Sequence, residues 1–338
     1  MSVVLVKCLF WRGVAFSVPR WFLVGGGARS PSGLVGFSVR VLGLCGCVFL
    51  PFGVGCTWDR EGRCIVCGYD ELARHVRLAG ELFVRYGDLV RFVAIHTEYQ
   101  APIWFDEVFV ENYSRFTLDL VGLAVEKCGG LRVVEVELHP GFSDLRGSRR
   151  PWGSIVEGMV GYLLRVYDVL REHGLVFRVT VENRGSSVLR KPQAAADLYE
   201  LLRFRRELEE RLRREGVGVE VGLTIDPLQL LSLKRRRVRD RRRALEEALR
   251  ESELLAKDHG KHVHSVHVHW VSEKGKTHAP PPPSEVGVAV ERFKRIIGCV
   301  VGASGRAYVV PEIAPMYLRR PETQQFLEEL AKALNTAP

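Results

Sequence analysis

The stretch SIVEGMVGYLLRVYDVLREHGLVFRVTVEN (154–183) reads as one helix running into one strand. Through residue 174 the apolar residues recur at helical spacing. From 176 the run turns Val-rich and short, which is strand-like, and it ends near Glu182. The same pair repeats along the chain. DELARHVRLAGELFVRYG (70–87) precedes RFVAIH (91–96), and DEVFVENYSRFTLDLVGLAVEKCG (106–129) precedes RVVEVELH (132–139). QAAADLYELLRFRRELEERLRREG (193–216) precedes VEVGLTID (219–226), and RRRALEEALRESELLAK (241–257) precedes VHSVHVHW (263–270). SEVGVAVERFKRIIG (284–298) precedes RAYVVPEIAP (306–315), and a last helix covers 320–335.

Alternating helices and apolar strands predict parallel β/α units with helices covering the sheet. Six strands are clear after residue 90, a seventh is expected at GFSVRVLGL (36–44), and an eighth fits at the extreme N-terminus. Seven or eight parallel strands in such units suit a TIM (β/α) barrel better than an open sheet. No glycine-rich phosphate loop follows the first strand, which argues against Rossmann and P-loop folds. The expected organisation is an atypical N-terminal extension over 1–34 and a single barrel domain over 35–338.

Composition narrows the class without naming a function. The 338 residues are 46% hydrophobic and 26% charged, an ordinary globular balance. The net charge of +9 favours an anionic partner. Asn and Gln together number eight, and that scarcity beside many Arg and Glu suits a thermophile or a GC-rich genome. The first 58 residues hold no Asp or Glu, as a transit peptide or a mis-assigned start would. The uncharged run 41–58 is broken by Pro51 and several glycines, so no membrane span is expected and the protein is read as cytoplasmic. Cys45, Cys47, Cys56, Cys64 and Cys67 crowd one region without two properly spaced pairs. Free or disulfide-bonded thiols fit them better than a structural zinc.

The strand ends carry the chemistry. In a TIM barrel the active site is built there. His96, His139, Glu182, Asp226, His267 and Glu312 each sit at or near the end of a strand. One such residue has a bland explanation, but six converging on one mouth would bury repelling carboxylates. A divalent cation removes that conflict, and mixed imidazole and carboxylate ligands suit zinc, manganese or iron. His267 is the expected ligand of its strand, with His269 a layer behind it or on substrate. His259, His262 and His264 lie at or before the strand start and are expected in solvent.

The ordered set Glu182, Asp226, His267, Glu312 resembles the metal signature of the xylose-isomerase-like TIM barrels, which include endonuclease IV, UV-damage endonucleases, and sugar isomerases and epimerases. LHPG (138–141) is similar to the His-Pro-Gly of the two nuclease families, and VEN (181–183) to their Glu-Asn. TIDPLQ (224–229), HVHW (267–270) and PEIAP (311–315) resemble successive endonuclease IV segments. The resemblance implies His96, His139 and Glu182 on one ion, and Asp226, His267 and Glu312 with the shared Glu182 on a second. Departures are visible. Gln229 stands where endonuclease IV has a zinc-binding histidine, and in KTH (276–278) Lys276 stands for its aspartate, leaving His278. These three, with His269, are expected behind the ligands. The epimerases usually add a second Glu after the first and an Arg after the metal-binding His. Here residue 188 is Val188, and no Arg lies in 271–275.

KRRRVRDRRR (234–243) adds Lys234, Arg235, Arg236, Arg237, Arg239, Arg241, Arg242 and Arg243, a run that would neutralise phosphates. The plainer alternative is a solvated helix start with acidic partners further along. HAPPPP (278–283) is a stiff loop that would shape access or space two elements. The expectation is therefore a zinc- or manganese-dependent hydrolase with one or two ions, nicking damaged, abasic-type DNA through metal-activated water. Glu182 and Glu312 would be its catalytic carboxylates. The alternatives are a metal-dependent sugar isomerase or epimerase, in which those carboxylates move a proton, and a non-catalytic barrel that binds nucleic acid.

Overall fold

The computed structural model describes residues 14–16, 47–51, 56–58, 64–66, 68–96, 104–141, 144–145, 148–149, 152–184, 197–237, 240–272, 278–313, 317 and 320–335. The chain divides into two units, Leu50–Leu223, and Met1–Phe49 with Thr224–Pro338.

In Leu50–Leu223 the strands Phe92–His96, Val133–Leu138 and Val176–Glu182 pair in parallel, with His96 opposite Glu137 and Leu138 opposite Val181. Phe92–His96 is buried throughout, as a strand covered on both faces must be. The helices Tyr69–Tyr86, Glu107–Lys127, Trp152–Glu172 and Leu198–Arg214 pack each on the next. In Trp152–Glu172 the buried residues are Ile155, Val156, Met159, Val160, Tyr162, Leu163, Val166 and Leu170, one stripe of an amphipathic helix. Burying each large side chain contributes roughly 1.5–3 kcal/mol. The same helix lies against the Trp104 main chain at Gly158, where a Cβ would stand 1.6 Å from the Trp104 carbonyl oxygen. Asp106 and Asp197 cap their helices by accepting from Phe109 N–H (3.0 Å) and Glu200 N–H (2.8 Å).

In the other unit Val263–Val268 pairs in parallel with Ala307–Pro311, which also pairs with Val14–Phe16. The helices Pro227–Arg237, Arg241–His259, Val286–Ser304 and Pro321–Asn335 again pack in succession. Gly305 closes Val286–Ser304 in the left-handed region (φ 76), where a side chain is strained.

The sequence boundaries hold within a few residues, with one addition. The basic run lies partly in an additional helix and partly at the start of the next. Helix Pro227–Arg237 begins at once after Asp226 and carries Lys234 to Arg237. The strand expected at 36–44, together with Cys45, Cys67, Arg239 and Lys276, lies outside the described residues. Cys56–Trp58 and Cys64–Val66 form a small antiparallel hairpin. Among the described residues no helix is long and apolar enough to cross a membrane.

Candidate metal centre

Among the described residues each unit carries a buried cluster of imidazoles and carboxylates, set at or just beyond the C-terminal ends of its strands.

In Leu50–Leu223 the cluster forms around Glu182. His96 Nε2 lies 3.0 Å from Glu182 Oε2 and 3.1 Å from Glu137 Oε1. His139 Nε2 lies 3.3 Å from Glu182 Oε2, and the two rings meet edge to face at 4.7 Å. All four side chains are at most 1% exposed. One ligand atom from each of His96, His139 and Glu182 falls within 4.8 Å of the others. The carbonyl of His139 accepts from Trp104 Nε1 at 2.7 Å, and Trp104 packs on Phe109 and Tyr162 at 5.3 Å each. The main chain that presents His139 is thus pinned from the aromatic core.

Glu137 was not among the residues expected from the sequence. Its signal was present: VVEVEL (133–138) places Glu135 and Glu137 in a Val-rich strand that is buried almost throughout. A carboxylate there must find partners.

In the second unit Asp226, His267 and Glu312 each bring one ligand atom within 4.8 Å of the other two, all fully buried. Asp226 Oδ1 accepts from Leu228 N–H (2.9 Å) and Gln229 N–H (3.1 Å), capping helix Pro227–Arg237. The Gln229 main chain therefore supports Asp226. Burial alone would raise the Asp226 carboxyl, but the His269 ring beside it holds it below the usual carboxylate range. Glu312 pushes the other way as a like charge. His267 Nδ1 stands 3.4 Å from Glu312 Oε2. His269 Nε2 meets both Asp226 oxygens, at 3.1 and 3.0 Å. His278 stacks on His269 at 4.3 Å, and its Nδ1 lies 3.1 Å from the Glu312 carbonyl oxygen.

The donor chemistry fits a divalent ion in both clusters. Imidazole nitrogen and carboxylate oxygen are the ligands of zinc and manganese, and a cation would offset the repulsion of Asp226 and Glu312. One expectation is corrected by burial. His264 is 9% exposed and His259 and His262 are half-buried, because the strand start is covered and not open to solvent.

Three residues of the basic run have partners within the protein. Lys234 pairs with Glu251, Arg243 Nε with Glu247 Oε1 at 3.2 Å, and Arg241 donates to the Ser272 carbonyl at 2.7 Å. Asp240 accepts from Arg243 N–H at 2.7 Å, so an acid caps the helix whose first turn is all arginine.

No protein-family model and no curated protein matches the chain. Solved structures do. A xylose isomerase domain protein from Alicyclobacillus acidocaldarius is 15% identical, covers 95% of this chain and 98% of its own, and superposes with a TM-score of 0.53. The chain has the xylose-isomerase-like fold. A D-tagatose 3-epimerase-like protein (14% identity, 95% and 98% covered, TM-score 0.51) shares it. So does a D-allulose 3-epimerase from Methylomonas sp. (11%, 94% and 95%, TM-score 0.51). These neighbours overturn the expectation of a DNA-repair endonuclease. They are named as a xylose isomerase domain protein, an epimerase-like protein and an epimerase, and they do not show the nuclease branch suggested by LHPG and VEN. Of the basic run, Lys234, Arg241 and Arg243 have intramolecular partners.

Proposed function

We propose that the chain is a metal-dependent sugar isomerase or epimerase acting on a small free sugar. The observation that supports this most is the buried trio Asp226, His267 and Glu312, whose ligand atoms gather within 4.8 Å at the ends of their strands. The sugar 3-epimerases of the same fold supply the substrate class. The proposal takes Asp226, His267 and Glu312 as ligands of one zinc or manganese ion, and His96, His139 and Glu182 as the donors of the other cluster.

When bound, the ion polarises the sugar's carbonyl and hydroxyl oxygens. The protein's own groups do the rest. Asp226 stays ionised because His269 and two main-chain amides stabilise its charge. Glu312 is the proton carrier: it takes the proton from the carbon next to the carbonyl. Return to the neighbouring carbon gives isomerisation, and delivery to the opposite face gives epimerisation. Burial keeps the carboxylates dry, which strengthens their pull on that proton.

Solvent exchange tests both outcomes at once. The protein is incubated in D2O with zinc or manganese and a panel of keto- and aldopentoses and -hexoses. Deuterium should enter at the carbon beside the carbonyl of at least one sugar. It should stop with EDTA and in Glu312→Gln. A metal-loaded protein that exchanges no sugar in the panel rules the proposal out.

A further inference from the structure

The second unit offers two overlapping donor sets. One is Asp226, His267 and Glu312, and the other is His269, His278 and Glu312. Hydrogen bonding separates them. The main-chain N–H of His278 donates to His269 Nδ1 at 3.2 Å, which requires a lone pair on that nitrogen. The ring's proton is then on Nε2, where both oxygens of Asp226 accept it. Both nitrogens of His269 are engaged, so the ring has no lone pair to give an ion.

The amide that sets this tautomer is firmly held. His278 adopts φ 56, and among the described residues it is the one non-glycine with positive φ. It is held there from three sides. Ala279 pairs with Trp270 through two main-chain bonds (2.6 and 3.3 Å), the His278 ring stacks on His269, and its Nδ1 reaches the Glu312 carbonyl.

We propose that His269 is a positioning residue, not a ligand: the His278 main chain locks its Nε2–H tautomer, and the ring in turn orients Asp226 for the ion. This rests on the proposed metal-dependent function. Partners of this kind typically govern metal affinity by roughly 10–100-fold.

The test uses the full chain stripped of metal and titrated with Zn2+ or Mn2+, with circular dichroism confirming the fold of each variant. His269→Phe keeps the stacked ring and loses both bonds, and it should weaken binding by roughly 10–100-fold. His269→Gln restores a donor toward Asp226 and should recover most of the loss. Ring 15N signals of the wild type should show His269 bare at Nδ1 and protonated at Nε2. Wild-type affinity in His269→Phe overturns the proposal, and so does a proton on Nδ1. If the wild type binds no ion, the proposed function falls, while the ring signals still decide the tautomer lock.

Discussion

The two clusters use similar side chains and hold them differently. Around Glu182 the groups come from adjacent parallel strands, so register does the placing: His96 sits opposite Glu137, and Leu138 opposite Val181. Around Asp226 a helix start and a strained loop do it. Two amides of helix Pro227–Arg237 and the His269–His278 pair fix one carboxylate. A sheet fixes spacing through many bonds, so losing one side chain leaves the frame standing. A cap and a loop fix orientation through few bonds, and each counts.

Breaking that contrast gives graded effects. The largest is expected for Asp226→Ala, which removes a proposed ligand and a cap together. Metal affinity should fall by more than roughly a hundredfold, beyond the loss of an outer partner, and stability by about 1 kcal/mol from the cap. Calorimetric titration and a denaturation midpoint read the two parts separately. Glu137→Leu should come next. It removes the Glu137 carboxylate from His96 and should cost about 3 kcal/mol, the cost of breaking a buried pair. Affinity at the Asp226 cluster should not change, and a parallel loss there would end the idea that the clusters are built independently. Trp104→Phe removes the bond to the His139 carbonyl and should cost about 1 kcal/mol. Its signature is a shifted His139 ring signal with His267 unmoved. Asp240→Ala should be smallest, a cap worth about 1 kcal/mol or less at an exposed site. It should lower the melting temperature by a few degrees and leave both clusters untouched.

The alternation of helices and strands was legible because its two periods are physical, 3.6 and 2 residues, and because the strand ends carry His, Asp and Glu. The six expected ligands do sit at their strand ends. What could not be read were groups whose role depends on pairing across strands. Glu137 looks like any strand carboxylate until the register puts it against His96. His278 looks like a loop residue until its amide is seen on His269. The helix after Asp226 was hidden by its composition, since PLQLLSLKRRR has a weak apolar period. The chemistry was misassigned because LHPG, VEN and a basic run are local strings. Local strings identify a scaffold position more readily than a reaction.

Gly158 imposes a design rule on this scaffold. Replacing a mid-helix glycine by alanine is a common route to a more stable protein, worth roughly 1 kcal/mol in propensity. Here the added methyl would occupy the space of the Trp104 carbonyl, and Trp104 holds the main chain of His139. A stability screen would therefore discard the Gly158→Ala variant for reasons invisible in the helix itself. The glycine acts as a spacer of zero width between an aromatic core and a polar cluster.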